Sequence, residues 1–274
     1  MKISYYPGCS LHGTAKEYDE STRVVCQGLD IDLVELEDWN CCGASSAHST
    51  DEFLSNALPG RNLRIARKAG LDLLVPCAAC YCRMKTAEKE DSSGGEATEI
   101  KNLPEFLVEE SNINRIKEHI KMPLEGIVIA SYYGCLLTRP PKITEARDYE
   151  NPQSMDELVE LLGGESVFWP YKTECCGGSL ALTHTDIVKR RVKKIIEMAI
   201  EAGAECLVTA CPMCQANLDG RQDEIGKEEG KEYYLPIFYI TELVGVSLKE
   251  KKSSKWWKRH FVDPRPLLSS KGFI

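Results

Sequence analysis

Cys41-Cys42-Gly43-Ala44-Ser45 is answered by Cys175-Cys176-Gly177-Gly178-Ser179, 134 residues further along the chain. Outward from these two stretches the match continues. Thirty-four residues separate Cys42 from Cys77, and thirty-four separate Cys176 from Cys211; each then opens a C-x-x-C, closed by Cys80 and Cys214. One more cysteine stands upstream of each pair: Cys9 in Tyr6-Pro7-Gly8-Cys9, and Cys135 in Tyr132-Tyr133-Gly134-Cys135. The offset there is 126, so the second copy carries eight extra residues before its pair. The Pro- and charge-rich stretch 139–153, read as loop, accommodates them. Two further flanks repeat, Lys68-Ala69-Gly70 with Glu201-Ala202-Gly203 and Leu103-Pro104 with Leu235-Pro236. Two five-cysteine sets in one order and spacing define a duplicated unit of roughly 120 residues, too long for a solenoid repeat. The implied divisions are residues 1–122, residues 123–248 and a basic, aromatic tail over 249–274.

Within each unit short apolar runs alternate with helical spacing. Ile3–Tyr6, Ile31–Leu36 and Leu71–Val75 read as strands in the first copy, and Ile127–Ser131, Ser166–Trp169 and Glu205–Thr209 in the second. Residues 14–29 and 51–69 read as helix, the latter broken at Pro59-Gly60. Ile187–Ala202 is the best helix: Val188, Val192, Ile195, Ile196 and Ala199 share one face, and Lys189, Arg190, Arg191, Lys193 and Lys194 lie mostly on the solvated side. The expected fold is α/β, with two tandem, pseudo-symmetric units, each a small, mainly parallel sheet flanked by helices. The cysteines then fall just past strand ends, at the carboxyl edge where open α/β sheets bind their ligands.

Composition narrows the class. Of 274 residues 43% are apolar and 28% charged, as in an ordinary globular protein. With 34 Lys and Arg against 42 Asp and Glu the net charge is −8, which argues against charge-driven nucleic-acid binding. No apolar run reaches the roughly 18–20 residues of a membrane span, and the first residues lack a signal-peptide core, so a cytoplasmic location without membrane insertion is expected. Thirteen cysteines, an odd number, suit a metal or redox site in a reducing compartment better than a disulfide scaffold.

Five thiols per set exceed the four a structural zinc takes, and adjacent Cys41-Cys42 is awkward around a single ion. A dithiol relay through the two C-x-x-C pairs leaves six cysteines unexplained. Iron–sulfur binding accounts for all ten, and glycine after each pair lets backbone N–H groups approach cluster sulfides. Cys26 and Cys206 read as core, and Cys82 has no counterpart.

The form C-x31-CC-x34-C-x2-C followed by C-x39-CC-x34-C-x2-C resembles the duplicated cysteine-rich CCG domain, most of all the B subunit of heterodisulfide reductases. The resemblance spans nearly the whole chain and implies two noncubane [4Fe-4S] clusters. The first would be held by Cys9, Cys41, Cys42, Cys77 and Cys80, the second by Cys135, Cys175, Cys176, Cys211 and Cys214. It implies catalysis through these clusters, in an oxidoreductase acting on sulfur groups: reductive cleavage of the coenzyme M–coenzyme B heterodisulfide of methanogenesis, or an analogue. The alternative is an electron-transfer subunit of a glycolate- or lactate-oxidase-like or sulfur-oxidising complex. The sequence has no Gly-x-Gly-x-x-Gly fingerprint, so electrons are expected from other proteins; the resemblance implies a small ferredoxin-like iron–sulfur subunit, itself fed by a flavin subunit.

Around the cysteines, His12, His48 and His184 are candidate proton donors, with hydrogen-bonded loop histidines as the plain reading. Lys172 and Arg139 are candidate holders of an anionic substrate. The tail Lys249–Leu268 is expected to pack on the body or on a partner through Trp256 and Trp257, and Lys255–His260 to form part of a docking face for an acidic ferredoxin-like partner.

Overall fold

A computed structural model describes residues 1–91, 98–251 and 253–274. The first unit runs β1 (Lys2–Tyr5), α1 (Gly8–His12), α2 (Lys16–Gly28), β2 (Asp32–Glu35), α3 (Ser46–Thr50), α4 (Glu52–Ala69), β3 (Leu73–Val75), α5 (Ala78–Glu90), β4 (Ile100–Asn102), α6 (Leu103–Leu107) and α7 (Glu110–His119). The second runs β5 (Val128–Tyr132), α8 (Pro141–Thr144), α9 (Ser154–Leu161), β6 (Glu165–Ser166), a 3-10 turn (Gly178–Leu180), α10 (Thr185–Glu201), β7 (Cys206–Thr209), α11 (Pro212–Gly220), α12 (Gln222–Glu229), β8 (Ile237–Tyr239) and α13 (Ile240–Ser247). The tail adds α14 (Ser253–Trp256) and α15 (Arg265–Ser270).

The strands form two four-stranded sheets, ordered β2-β1-β3-β4 and β6-β5-β7-β8, and every pairing is parallel. The fold is therefore α/β with two tandem units, as the repeat implies. The central strands are short and apolar because helices cover both faces; β3 and β7 are buried along their whole length. On α10 the buried residues are Val188, Val192, Ile195, Ile196 and Ala199, the face read from the spacing.

Four local expectations are corrected. α4 is continuous through Pro59: Asp51 caps it by accepting from the Leu54 N–H, Gly70 ends it at φ 67°, and Pro59 is itself buried against the core, so packing outweighs the one backbone bond proline removes. Strand β6 stops at Ser166; Val167 still donates to the Ile129 carbonyl, but the chain then turns so that Trp169 buries its ring and donates from Nε1 to the Ser131 carbonyl. The loop 139–153 contains the single turn α8. Leu103-Pro104 and Leu235-Pro236 are not equivalent: the first pair begins α6 after β4, the second precedes β8. The real correspondence is the cap, where Asn102 with Glu105 and Tyr239 with Glu242 join strand to helix in the two units.

The units pack directly on each other, with α2 of the first against α13 of the second. Ser21 and Thr241 hydroxyls are 2.7 Å apart in this contact. The tail closes over it. Trp256 and Trp257 are each only 1% exposed, and Trp256 lies so near Gly245 that a Cβ there would stand 2.7 Å from the indole. His260 is buried in an ion pair with Glu242 at 2.9 Å, and Arg259 reaches Glu20 at 3.0 Å. This corrects the expectation of an indole-bearing docking face: the chain's own core takes up both tryptophans and His260. Lys252 of that tail lies outside the described residues.

Candidate metal centre

Each cysteine set is assembled at the carboxyl edge of its sheet. Cys9 sits in α1 just past β1, and Cys135 in the turn just past β5. The adjacent pairs occupy the loops after β2 and β6. Cys77 and Cys211 are the N-cap residues of α5 and α11, so Cys80 and Cys214 lie in the first turn of those helices, facing back to the same edge.

The local devices repeat almost atom for atom. Tyr6 donates its hydroxyl to the carbonyl of Asn40 at 2.8 Å, and Tyr132 to that of Glu174 at 2.6 Å; each accepting residue immediately precedes a cysteine pair. Gly43 and Gly177 take φ of +74° and +80° and turn their N–H groups toward Cys41 and Cys175 Sγ, at 3.4 and 3.3 Å. Gly8 and Gly134, at φ +70° and +64°, leave open space beside sulfur: a Cβ would stand 3.2 Å from Cys80 Sγ in one unit and 3.1 Å from Cys214 Sγ in the other.

The sulfurs converge. Cys42 and Cys80 Sγ are 3.1 Å apart, Cys176 and Cys214 Sγ 3.6 Å, and Cys9 and Cys41 Sγ 3.5 Å. None of the thirteen cysteines is joined in a disulfide. In the first set Cys42, Cys77 and Cys80 are buried and Cys9 and Cys41 exposed; in the second Cys176, Cys211 and Cys214 are buried and Cys135 and Cys175 half-buried. The innermost members, Cys77 and Cys211, are both buried and act on each other's titration across the contact between the units. The hydrogen bond from Cys135, helped by the Gly177 N–H and opposed by burial, brings Cys175 down to about 6. Cys42 is pushed up to about 11, first by its hydrogen bond with Cys41.

Among the described residues no group of three or more His, Cys, Asp or Glu side chains is arranged to hold a single metal ion. The sulfurs spread instead from the surface inward, with a glycine cradle against each set. That donor set suits a multi-iron cluster, whose separate irons take separate thiolates.

The other candidates fall outside this cradle. His12 packs edge-on to Trp39 and pairs with Glu35 at 3.2 Å; His48 Nδ1 meets Arg83 at 2.9 Å; His184 is the N-cap residue of α10. Lys172 is corrected: it is 3% exposed and committed to Asp156 at 3.0 Å and the Pro152 carbonyl at 2.9 Å, pinning the second unit's extra loop to α9. Arg139 likewise reaches Thr173 at 3.4 Å and Glu150 at 3.5 Å. Cys26 and Cys206 are fully buried in α2 and β7, and Cys82 is buried on α5 with its Sγ 3.9 Å from the Arg139 carbonyl. Sequence reasoning gave Gly43 and Gly177 an N–H role beside sulfur, but registered Tyr6, Tyr132, Gly8 and Gly134 only as repeated letters and missed their task at the cysteine loops. The recurrence of Tyr6 and Tyr132, and of Gly8 and Gly134, at fixed distance from each first cysteine was the available signal.

A family model described as "Cysteine-rich domain" (CCG) matches residues 3–85 and again 129–219. The chain belongs to this cysteine-rich CCG family. Among curated proteins it is 29% identical, over 90% of its length and 92% of theirs, to the "8-methylmenaquinol:fumarate reductase membrane anchor subunit" of Wolinella succinogenes. It is equally 29% identical, over 90% of this chain and 89% of the relative, to the B subunit of the ferredoxin:CoB-CoM heterodisulfide reductase of Methanosarcina mazei. "Lactate utilization protein A" of Bacillus pumilus is 25% identical over 89% of this chain and 99% of the relative. A crystal structure of a hypothetical protein from Helicobacter pylori shares the fold, with TM-score 0.75 over 96% of this chain at 12% identity; the chain spans 52% of that protein. Two of these relatives are named as subunits of reductases, one of a fumarate reductase and one of a heterodisulfide reductase. Among the described residues no helix is long and apolar enough to cross a membrane.

Proposed function

We propose that the chain is the disulfide-cleaving subunit of a heterodisulfide reductase-like complex. Cys9, Cys41, Cys42, Cys77 and Cys80 hold one noncubane [4Fe-4S] cluster, and Cys135, Cys175, Cys176, Cys211 and Cys214 hold the other. The observation that carries this reading is the convergence of sulfurs at the carboxyl edge of each sheet, at 3.1 Å for Cys42 and Cys80 and 3.6 Å for Cys176 and Cys214, with Cys77 and Cys211 buried behind them.

Reductive cleavage of a disulfide consumes two electrons and two protons and releases two thiols. Bound clusters supply single electrons, so two of them side by side match a two-electron substrate. The chain's own residues provide the rest. Tyr6 and Tyr132 fix the pair-bearing loops through the Asn40 and Glu174 carbonyls. Gly8 and Gly134 keep the space beside Cys80 and Cys214 clear. The buried rings of Tyr18 and Tyr239 wall the inner cysteines off from water. Electrons are supplied by a ferredoxin-like subunit, itself served by a flavin subunit, in a cytoplasmic complex.

A second reading, electron transfer within an oxidoreductase acting on another substrate, is favoured by the relatives named for fumarate reduction and lactate utilisation. Anaerobic purification with iron, zinc and sulfide analysis, then turnover with a panel of disulfides including the coenzyme M–coenzyme B heterodisulfide, separates them. Iron with sulfide and thiol release supports disulfide cleavage. Iron with sulfide and no thiol release from any disulfide leaves electron transfer. Zinc without sulfide overturns both.

A further inference from the structure

The two units match in their cysteines and differ in where one helix carries its cations. The buried positions of α4 and α10 correspond one to one: Ser55, Pro59, Asn62, Leu63 and Ala66 against Val188, Val192, Ile195, Ile196 and Ala199. In that register Asn56, Ala57, Leu58 and Gly60 of α4 stand where α10 has Lys189, Arg190, Arg191 and Lys193; only Arg61 against Lys194 keeps its charge. The ligands are therefore alike and the cations differently placed: α10 gathers five between Lys189 and Lys194, whereas those of α4 (Arg61, Arg64, Arg67 and Lys68) lie in its second half.

Part of that charge is structural. Lys189 pairs with Glu224 and Glu228, and Lys193 with Glu229, fastening α10 to α12. The remainder is not. The Arg190 side chain is 73% exposed and, among the described residues, pairs only with Asp186 one turn back. Arg191, 45% exposed, stands 3.9 Å from Glu174. Lys194 lies 5.9 Å from the centre of the Tyr171 ring, and among the described residues no carboxylate is within ion-pair distance of it. These three cations line, with Tyr171 and Cys175, a hollow beside the second cysteine set. Phe168, 75% exposed, precedes Tyr171 by three residues, and Leu182, 96% exposed, precedes α10 by three.

A cationic hollow whose flanking chain segments also expose large apolar side chains has the make-up of a protein interface, with apolar contact and a charged rim. A chain of net charge −8 repels an acidic protein over most of its surface, so one cationic face both steers and orients such a partner. We infer that the α10 face beside Cys175 is the docking surface for an acidic iron–sulfur electron carrier, so that electrons enter through the second unit. Each encounter oxidises the reduced carrier by one electron and reduces the second set's centre by one. The inference rests on the proposed reading of the cysteines as cluster ligands.

The test uses the full-length, anaerobically purified chain and an acidic ferredoxin as probe. Binding is measured by calorimetry at low and high salt for wild type, for R190E/R191E/K194E, and for N56E/A57E on the equivalent face of α4. The expected result is that charge reversal on α10 weakens binding about tenfold or more at low salt, that the difference shrinks at about 1 M salt, and that the α4 variant stays within about twofold of wild type. Iron content and bleaching by dithionite at wild-type levels show that the α10 variant is intact. Unchanged ferredoxin binding by R190E/R191E/K194E at low salt, or an equal loss in N56E/A57E, overturns the docking surface. A chain that lacks iron yet binds ferredoxin through α10 overturns the cluster reading and leaves the docking surface standing, so the two failures are distinguishable.

Discussion

The ring of Tyr18 lies flat on the ring of Tyr239, with centroids 4.1 Å apart and planes 5° apart, and the two residues come from different units. Tyr18 also donates its hydroxyl to the Pro76 carbonyl at 3.2 Å, one residue before Cys77. The stack therefore joins the packing of the units to the position of an inner cysteine. Tyr18→Ala should cost roughly 3–5 kcal/mol, as for other buried aromatics cut to alanine. Tyr18→Phe, which keeps the stack, should cost about 1 kcal/mol. Denaturant unfolding under anaerobic conditions reads both; equal costs would show that the stack contributes nothing.

If each set holds its own cluster, Cys42→Ala and Cys176→Ala should each remove about half the bound iron, because thiolates of one set ligate only that set's irons. Iron and sulfide analysis against protein concentration measures this. Loss of all iron from either variant, with the fold intact by circular dichroism, would point to one shared site.

Gly134→Ala tests the cradle. The substitution meets both a positive φ and Cys214 Sγ at 3.1 Å, whereas Gly203, at φ +88°, has nothing within 4 Å of a built Cβ. Both variants should lose about 1–2 kcal/mol from backbone strain. Only Gly134→Ala should also lower iron content, and an equal loss in the two would reduce the cradle to a strained turn.

The tail is held by a pH-sensitive pair. Burial lowers the affinity of His260 for its proton, but the contact with Glu242 outweighs it, and Asp219 and Glu17 add to the rise; the net value is raised from 6.5 to about 9. A histidine with a raised value contributes stability fully below its unfolded value of about 6.5 and loses it as pH rises through about 9. Glu17, raised by burial to about 7, acts in the same direction at lower pH, from about 4.5 upward. Stability should fall between pH 6.5 and 9 by on the order of 2–3 kcal/mol. Hydrogen exchange over residues 256–262 should quicken in that window, and His260→Gln should flatten the response.

Lys172→Met would strand Asp156, whose side chain is 9% exposed, without its cation. The expected cost is about 3–5 kcal/mol, as for a broken buried pair. Lys172→Met with Asp156→Asn should recover part of it, which thermal unfolding of the single and double variants measures.

Much of this architecture is legible in the letters. The repeated cysteine spacing announced two units, and the apolar face of α10 was visible in its period. The fourth strand of each sheet was not: Ile100–Asn102 and Ile237–Tyr239 are three residues long, too short for alternation to register. The Leu-Pro match misled because chance dipeptides carry no spacing, whereas the caps Asn102–Glu105 and Tyr239–Glu242 share geometry but not their first residue. Pro59 was read by local rule, and burial overrode it. The tail's tryptophans were legible as anchors but not whether body or partner received them, and Lys172 was read as a holder of an anionic substrate; only tertiary packing reveals that each is committed to the chain's own interior.

The two cysteine sets are equal in number and unequal in shelter. Cys9 and Cys41 are exposed, while the corresponding Cys135 and Cys175 are half covered. Oxygen, chelators and alkylating reagents thus reach one half of the molecule sooner. If each set holds a cluster, handling in air should produce a lopsided species, stripped at the amino-terminal site and still loaded at the other. Such a protein would be half-metallated without any difference in the affinity of its two sites, because the inequality is one of access.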